Sequence, residues 1–361
     1  MKSRTWMWTA VVFLLANLAV TIGLAAQDNA SQNSVVITDD HDRGPQNGDL
    51  AVSAVTVIDG AYGINQVATM PKDGGPYHFL TSVDTTPTGA YDPDFTPDGR
   101  KIFFTTFGDE TRGDFIISVP AEGGPLTPIQ TDCASNDPNC GDDNPAISPD
   151  GRELLTLRFQ GPVDNNGCLV FAGIMRFRID GSHPKRLSPV GPPCSGDLEP
   201  RWSPDGNRIL FQYQDSTGPQ SIWVMNRDGS HRRQITPATL LGYGNPNWSP
   251  DGNRIVFQVP AEPTDDQNPQ QLYTMHPDGT HIRQVTHYAP IIGVVIATNG
   301  ARWSPDGRKI VFAHRDPNTT YGPDGLPHAD IFEMNPDGSD VVQITFTPEK
   351  DNNPTWGARR W

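Results

Sequence analysis

Cysteine is scarce in this sequence, and basic residues are outnumbered by acidic ones. The 361 residues include four cysteines, no two of which form a C-x-x-C pair, so a zinc ribbon or zinc finger is disfavoured. Lys and Arg total 27 against 42 Asp and Glu, a formal net charge of −15. Because clustered Lys and Arg bind nucleic acids and anionic membrane surfaces, so acidic a chain is a poor candidate for either. No G-x-S-x-G occurs, which disfavours an α/β-hydrolase nucleophile.

Long apolar runs are rare, and the longest stands at the N-terminus. Lys2 and Arg4 precede an apolar run over residues 6–26 that ends in small residues, as in an export signal. We expect residues 1–26 to be removed; the alternative is an uncleaved anchor, because about 20 apolar residues can span a bilayer. Residues 27–48 are polar and predict a flexible tether. The remaining domain, 49–361, is expected to be exported: periplasmic, secreted or associated with the cell envelope.

Glycine and proline are abundant, at 35 each, and a repeated phrase uses them in turns. The sequence reads WSPDGNRILF from Trp202, WSPDGNRIVF from Trp248 and WSPDGRKIVF from Trp303, with weaker copies from Phe95 and Ile147. Ser-Pro-Asp-Gly has the residues of a type I turn in order, and β-branched and aromatic residues follow. Each phrase is followed by an apolar segment, a second turn containing Gly, and a short strand. The unit is therefore four short strands.

The units recur along most of the chain. Their first turn glycines lie 46 to 55 residues apart, and four strands at such a period are typical of a β-propeller blade. Five units are complete, and fragments at the two ends supply the strands of another. We predict an all-β, six-bladed β-propeller closed by a blade shared between N- and C-terminal strands, with seven blades as the alternative. Closure of this kind removes exposed sheet edges.

These units resemble the TolB-type, WD40-like propeller repeat, whose pattern is P-x-W-S-P-D-G, an apolar strand, I-W-x-M and D-G-[ST]. The resemblance covers residues 90–357, with Phe95 and Ile147 standing where Trp is usual. It implies a binding propeller of the kind found in the periplasmic Tol system and in front of prolyl-oligopeptidase-like peptidases. Neither the N-terminal domain of the Tol protein nor a peptidase domain is recognised, which counts against a literal Tol role.

The four cysteines of an exported chain suggest two disulfides. Three connectivities are open, and we favour Cys133 with Cys140 and Cys168 with Cys194, because each pair then closes a local loop. All four fall in the long, dissimilar connections, which we expect on the propeller face opposite the short turns. Variable loops on a rigid scaffold are how many binding surfaces are built.

No cofactor or metal is expected. The histidines His183, His231 and His281 occupy the same turn position in successive units, so they are interpreted as exposed turn residues. A calcium ion is the alternative at a loop rich in carboxylates, whose oxygens suit that ion; these residues are Asp132, Asp137, Asp142 and Asp143.

A polar axial channel is the candidate binding site. In each unit the residues before and after the proline of the first strand alternate with the packed aromatic, so they should face the propeller axis. The candidates at the channel mouth are Asp92, Asp94, Asn144, Glu199, Arg201, Asn245, Asn247, Arg302 and Asn353. Arg201 and Arg302 are the best anchors for a carboxylate, because a guanidinium group donates two hydrogen bonds at once.

Two functions fit this pattern. The first is a monomeric, non-catalytic binding propeller that recognises a protein or an envelope polymer, contacting a membrane only through an uncleaved N-terminal segment. The alternative is a propeller enzyme, such as a polysaccharide lyase or hydrolase, with its active site at the channel mouth. That alternative requires histidines and carboxylates to converge on the axis.

Overall fold

A computed structural model describes most of the predicted propeller. The described residues are 49–58, 61–108, 113–133, 137–161, 170–192, 194–215, 220–237, 242, 244–260, 270–288, 298–315, 328–347 and 349–357. Within these ranges the chain forms strands and turns without an α-helix. They accordingly contain no helix long and apolar enough to cross a membrane. The predicted signal peptide and tether lie outside the described residues.

The strands form six four-stranded antiparallel sheets, which are the blades. Blade 1 comprises β4 (Ala90–Phe95), β5 (Lys101–Thr106), β6 (Phe115–Pro120) and β7 (Thr127–Pro128). Blade 2 comprises β8 (Cys140–Ile147), β9 (Glu153–Gln160), β10 (Phe171–Arg178) and β11 (Lys185–Arg186). Blade 3 comprises β12 (Gly196–Trp202), β13 (Arg208–Gln214), β14 (Ser221–Asn226) and β15 (Arg233–Gln234).

The remaining three blades follow the same plan. Blade 4 comprises β16 (Gly244–Trp248), β17 (Ile255–Pro260), β18 (Gln270–Met275) and β19 (Arg283–Gln284). Blade 5 comprises β20 (Thr298–Trp303), β21 (Ile310–His314), β22 (Asp330–Met334) and β23 (Val342–Gln343). Blade 6 comprises β24 (Lys350–Trp356), β1 (Asp49–Ile58), β2 (Ala61–Pro71) and β3 (His78–Phe79).

Blade 6 confirms the prediction of a blade shared between the two ends of the chain. Its order is β24-β1-β2-β3, so the C-terminal strand is the innermost one and the N-terminal strands lie outside it. β24 pairs antiparallel with β1, with Leu50 opposite Trp356 and Val55 opposite Lys350. Neighbouring innermost strands contact one another all the way around, from β4 through β8, β12, β16, β20 and β24 back to β4. The ring has six blades, and the seven-bladed alternative is wrong.

The hydrophobic core lies between neighbouring blades. Trp248 of blade 4 packs with Leu210 and Ile222 of blade 3, and all three are buried. Arg208 of blade 3 covers the same indole, with its guanidinium carbon 4.8 Å from the ring centroid, a favourable cation–π distance. The repeated tryptophan therefore packs one blade against the next.

The repeated Ser-Pro-Asp-Gly is a turn, as predicted. Gly206 has a φ of 67°, and its N–H donates to the carbonyl of Ser203 at 2.8 Å. The Ser203 hydroxyl donates to the Asp205 carboxylate at 2.5 Å. The Asp of each phrase therefore stabilises a turn. These turns and the shorter glycine turns lie on one face of the ring, here called the turn face; the long connections lie on the opposite one, the loop face.

Some turn glycines lie tightly against the neighbouring blade. A matched pair of substitutions measures the contribution of this close packing to stability. Gly279 has a φ of 87°, and a Cβ built on it would lie 1.9 Å from the Ile235 carbonyl oxygen of the neighbouring blade. Gly161 has a φ of 104° with open space around its Cβ. Both changes to Ala carry a backbone cost, but Gly279→Ala should destabilise by about 1–3 kcal/mol more, because a packed carbonyl must move. Urea denaturation of the two variants checks this, and equal losses would contradict it.

Candidate functional site at the propeller axis

The innermost strands share a bulge that the sequence pattern did not predict. In blades 1 to 5 the pairing of the innermost strand with its neighbour shifts register at the same point, and β24 shifts likewise against β1. One residue of each bulge has a positive φ. These six residues, here called the bulge ring, are Asp92 (51°), Asn144 (54°), Glu199 (51°), Asn245 (47°), Gly300 (65°) and Asn353 (47°).

Local sequence explains this bulge. Every bulge-ring residue except Gly300 precedes a proline, which has no N–H to give to a strand ladder and is tolerated at bulges. Asn, Asp and Gly accept a positive φ more readily than other residues. Glu199 is the exception, and a left-handed residue of its type costs about 1–3 kcal/mol. The repeated Asn-Pro and Asp-Pro dipeptides were the available signal.

A second ring lies two residues further along each strand, about 6–7 Å nearer the turn face. Its members, here called the lower ring, are Asp94, Ala146, Arg201, Asn247, Arg302 and Thr355. Charged residues of the two rings come from blades 1, 3 and 5, which are not neighbours. The charge of Arg302 in blade 5 interacts with Glu199 and Arg201 of blade 3 and with Asp92 and Asp94 of blade 1. Side chains of alternate blades meet in this way only across the axis.

Carboxylates crowd together in the bulge ring. Burial raises the pKa of Asp92 well above its ordinary value, and the negative charges of Glu199 and Asp143 raise it further. The Asn353 side-chain amide donates to the Asp92 carboxylate. Burial also raises the pKa of Asp143, although its carboxylate accepts hydrogen bonds from the Thr105 hydroxyl at 2.7 Å and from the Asn144 backbone at 2.6 Å.

Two guanidinium groups lie close together in the lower ring. Arg201 is 9% exposed; its Nη2 lies 3.3 Å from Glu199 Oε2 and its Nη1 donates to the Pro200 carbonyl at 2.9 Å. Arg302 is partly exposed and donates to the Ala301 carbonyl at 3.2 Å. Burial, followed by the charge of Arg201, lowers the pKa of Arg302 to about 9, so Arg302 stays charged at neutral pH.

The predicted candidates therefore occupy the two axial rings. The charges of Asp92, Asp94, Glu199 and Arg201 act on Arg302 there. Asp94 also accepts a hydrogen bond from the Ile147 backbone at 2.9 Å. The remaining predicted positions are polar members of the same rings: Asn144, Asn245, Asn247 and Asn353.

The residue that the sequence reasoning missed at the axis is Asp143. Its position in the sequence placed it with three other carboxylates in a predicted loop, but it lies in β8 and its charge acts on Asp92. Its position immediately before the Asn-Pro dipeptide of blade 2 was the signal that could have found it.

One propeller family matches the sequence. Residues 194–358 match the family model of the TolB beta propeller domain. These residues carry TolB-type propeller repeats. No curated protein matches the sequence.

Solved structures share the propeller fold at low identity. TolB from Acinetobacter baumannii has a TM-score of 0.64 and 18% identity, with 86% of this chain and 67% of that chain covered. Oligogalacturonate lyase from Vibrio parahaemolyticus has a TM-score of 0.50 and 14% identity, with coverage of 78% and 71%. A chain of the nidogen/laminin complex has a TM-score of 0.57 and 10% identity, with coverage of 86% and 98%. At these identities the likeness shows the fold alone.

The four carboxylates considered for calcium are divided between different partners in the folded chain. Arg158 pairs with Asp132 at 2.7 Å and with Asp142 at 2.6 Å. Asp137 accepts the Asn139 backbone N–H in a turn at 2.9 Å, and Asp143 belongs to the axial site. Among the described residues, no three metal-ligating side chains come together. The four carboxylates do not form the shared oxygen site that a calcium ion would need, because a buried arginine already neutralises two of them.

The predicted disulfide between Cys133 and Cys140 is present, with Cα atoms 5.6 Å apart. Cys194 is disulfide-bonded as well. Cys168 lies outside the described residues, so its pairing with Cys194 stays a prediction.

Histidines do not gather at the axis in the described part of the chain. His183, His231 and His281 are exposed turn residues with φ between 54° and 57°, as predicted. His314 is buried and stacks on Tyr288 with ring centroids 3.6 Å apart. His328 is buried, and its Nε2 lies 2.8 Å from the carbonyl oxygen of residue 347.

Proposed function

We propose that this TolB-type propeller is an exported binding protein without catalytic activity, which takes a carboxylate of a protein or envelope polymer into its axis. The observation that carries the proposal is Arg302. This guanidinium donates to a carbonyl oxygen and forms no ion pair within the described residues. A partly desolvated cation without a carboxylate partner is favourable for a site that receives an anion.

The neighbour of Arg302 supports the same ligand chemistry. Arg201 lies near enough for its charge to lower the pKa of Arg302, so the two cations repel in the free protein. An anion placed between them relieves this repulsion and accepts several charge-assisted hydrogen bonds. Such hydrogen bonds contribute about 1.5–3 kcal/mol each.

Replacing both arginines tests this site. We expect Arg201→Ala with Arg302→Ala to weaken carboxylate binding by roughly tenfold or more, because two charge-assisted contacts are removed. Fluorescence anisotropy would be measured with two labelled probes, a pool of random decapeptides with free carboxylates and oligogalacturonate. One of these should bind the unaltered protein, and binding of neither would count against an axial carboxylate site.

The matched control removes the same charge from the turn face. Arg233→Ala with Arg283→Ala changes two exposed residues and should leave binding unchanged. Both double variants should melt close to the unaltered protein. Equal binding by a folded Arg201, Arg302 variant would move the site from the axis to the outer loops.

The alternative function, a propeller enzyme, requires different residues at the axis. A lyase or hydrolase of this fold would hold its acid, base or metal ligands at the channel mouth. Elemental analysis of the purified protein separates the two functions, since a stoichiometric transition metal would overturn the non-catalytic proposal.

A further inference from the structure

Both guanidinium groups at the axis lie deeper than most of the axial carboxylates. The bulge ring carries the carboxylates of Asp92 and Glu199, and Asp143 stands immediately before it in blade 2. The lower ring carries both guanidinium groups, about 6–7 Å nearer the turn face along the strands, together with the carboxylate of Asp94. A ligand that enters from the loop face therefore meets carboxylates first and both guanidinium groups, with Asp94 beside them, further in.

Two of the three carboxylates at the loop-face end of the axis have no ion-pair partner. Asp92 and Asp143 form no ion pair within the described residues, and the Glu199–Arg201 contact is long at 3.3 Å. The hydrogen-bond donors to Asp92 and Asp143 are neutral: the Asn353 amide, the Thr105 hydroxyl and one backbone N–H.

An orphaned acceptor lies beside these carboxylates. Asn144 is 3% exposed, and its side-chain oxygen is buried without a hydrogen-bond partner in the described part of the chain. A buried polar atom without a partner costs free energy. Together Asp92, Asp143 and this amide oxygen form a group that accepts hydrogen bonds and has no cationic hydrogen-bond donor within the described residues.

We propose that the axis binds the C-terminal end of a protein chain, with its terminal carboxylate on Arg302 and Arg201 and a Lys or Arg side chain near the end on Asp92, Asp143 and Glu199. This inference rests on the proposed function, to which it adds the class of partner. The two charged groups must be separated along the axis, so a long basic side chain beside a terminal carboxylate fits. A free amino acid without a basic side chain, whose ammonium and carboxylate are bonded to the same carbon, is too short, and a polyuronate has no cation to offer.

Three peptides of equal length distinguish the possibilities. All three are labelled Gly-Ser decapeptides. The first has Lys at the penultimate position and a free C-terminal carboxylate; the second is the same peptide with an amidated C-terminus; the third has a free carboxylate and Glu in place of Lys. We expect the Lys peptide with the free carboxylate to bind at least about tenfold more tightly than either of the others. This is the difference expected when one charge-assisted contact is removed. Fluorescence anisotropy measures all three.

An isosteric variant tests the acidic half of the site. Asp92→Asn keeps an oxygen that can accept the Asn353 amide and removes the charge. It should reduce the preference for Lys over Glu by several-fold and leave the preference for a free carboxylate over an amide intact. The charge control is Asp337→Asn, which alters an exposed turn residue and should change neither preference.

The outcomes separate this inference from the proposed function. Equal binding of the Lys and Glu peptides, with binding still lost on amidation, overturns the chain-end inference and leaves the carboxylate site standing. Binding that ignores amidation and survives Arg201→Ala with Arg302→Ala overturns both. Circular dichroism melting of each variant confirms that it is folded.

Discussion

Removing residues 352–361 will abolish most of the stability of the ring or cause aggregation. The deletion takes away the greater part of β24, the innermost strand of blade 6, and leaves β1 with an open edge. It also removes Trp356, which is 8% exposed and packs with Leu50 and Val311. Loss of one buried Trp side chain alone costs about 3–5 kcal/mol, and an open strand edge invites aggregation.

A shorter deletion provides the control. Removing residues 358–361 keeps every residue of the β24 ladder, which ends at Trp356. Thermal melting and gel filtration of the two truncated chains measure the difference. A chain without 352–361 that melts with the full-length protein would contradict closure by the C-terminal strand.

The same strand carries a buried carboxyl group that makes the closure sensitive to pH. Asp351 is fully buried, and the Tyr77 hydroxyl donates to it at 2.5 Å. The equivalent positions of blades 2 and 3, two residues before the bulge ring, hold Asp142 and Asp197, each paired with an arginine. Asp351 has no such ion pair within the described residues. Burial raises its pKa to about 8, with a smaller contribution from the charge of residue 330.

Ionisation of Asp351 should therefore destabilise the folded protein as the pH rises. The folded-state pKa of about 8 lies above the ordinary value of 3.8, so the folded chain binds more protons than the unfolded chain between these values. The contribution to stability is full below about pH 4 and falls by up to about 1.4 kcal/mol per pH unit as the pH rises towards 8.

Asp351→Asn removes this loss. The free energy of unfolding of the variant, relative to the unaltered protein, should increase by at least about 2 kcal/mol between pH 5 and pH 8. Urea denaturation at pH 5, 6.5 and 8 measures it. The control is Asp142→Asn, which should destabilise at all three values because it takes a partner from the buried Arg158. A difference for Asp351→Asn that stays constant with pH would refute the assignment.

Much of the axial site could be predicted from the sequence, because side chains alternate along the strand around each repeated proline. Asp92 and Arg302 were predicted to face the axis because they alternate with a packed aromatic, and their charges meet there. The bulge was not predicted, because strict alternation assumes an unbroken ladder and takes no account of a residue with positive φ. For the same reason Asp142 and Asp143 were assigned to one loop cluster, whereas the fold places one on a buried arginine and the other at the axis.

The sequence by itself determined the turns, the four strands of each repeat and the shared blade, and it favoured six blades over seven, because each repeat encodes its own four strands by local turn chemistry and apolar patterning. Tertiary structure alone decided which charges meet. Asp92, Glu199 and Arg302 stand far apart in the chain on blades 1, 3 and 5, and ring closure brings them across one axis. Packing between strands and blades likewise decided that Asp142 and Asp197 pair with arginines while Asp351 is held by a tyrosine hydroxyl, because the partner of a buried charge is whichever side chain the fold places against it.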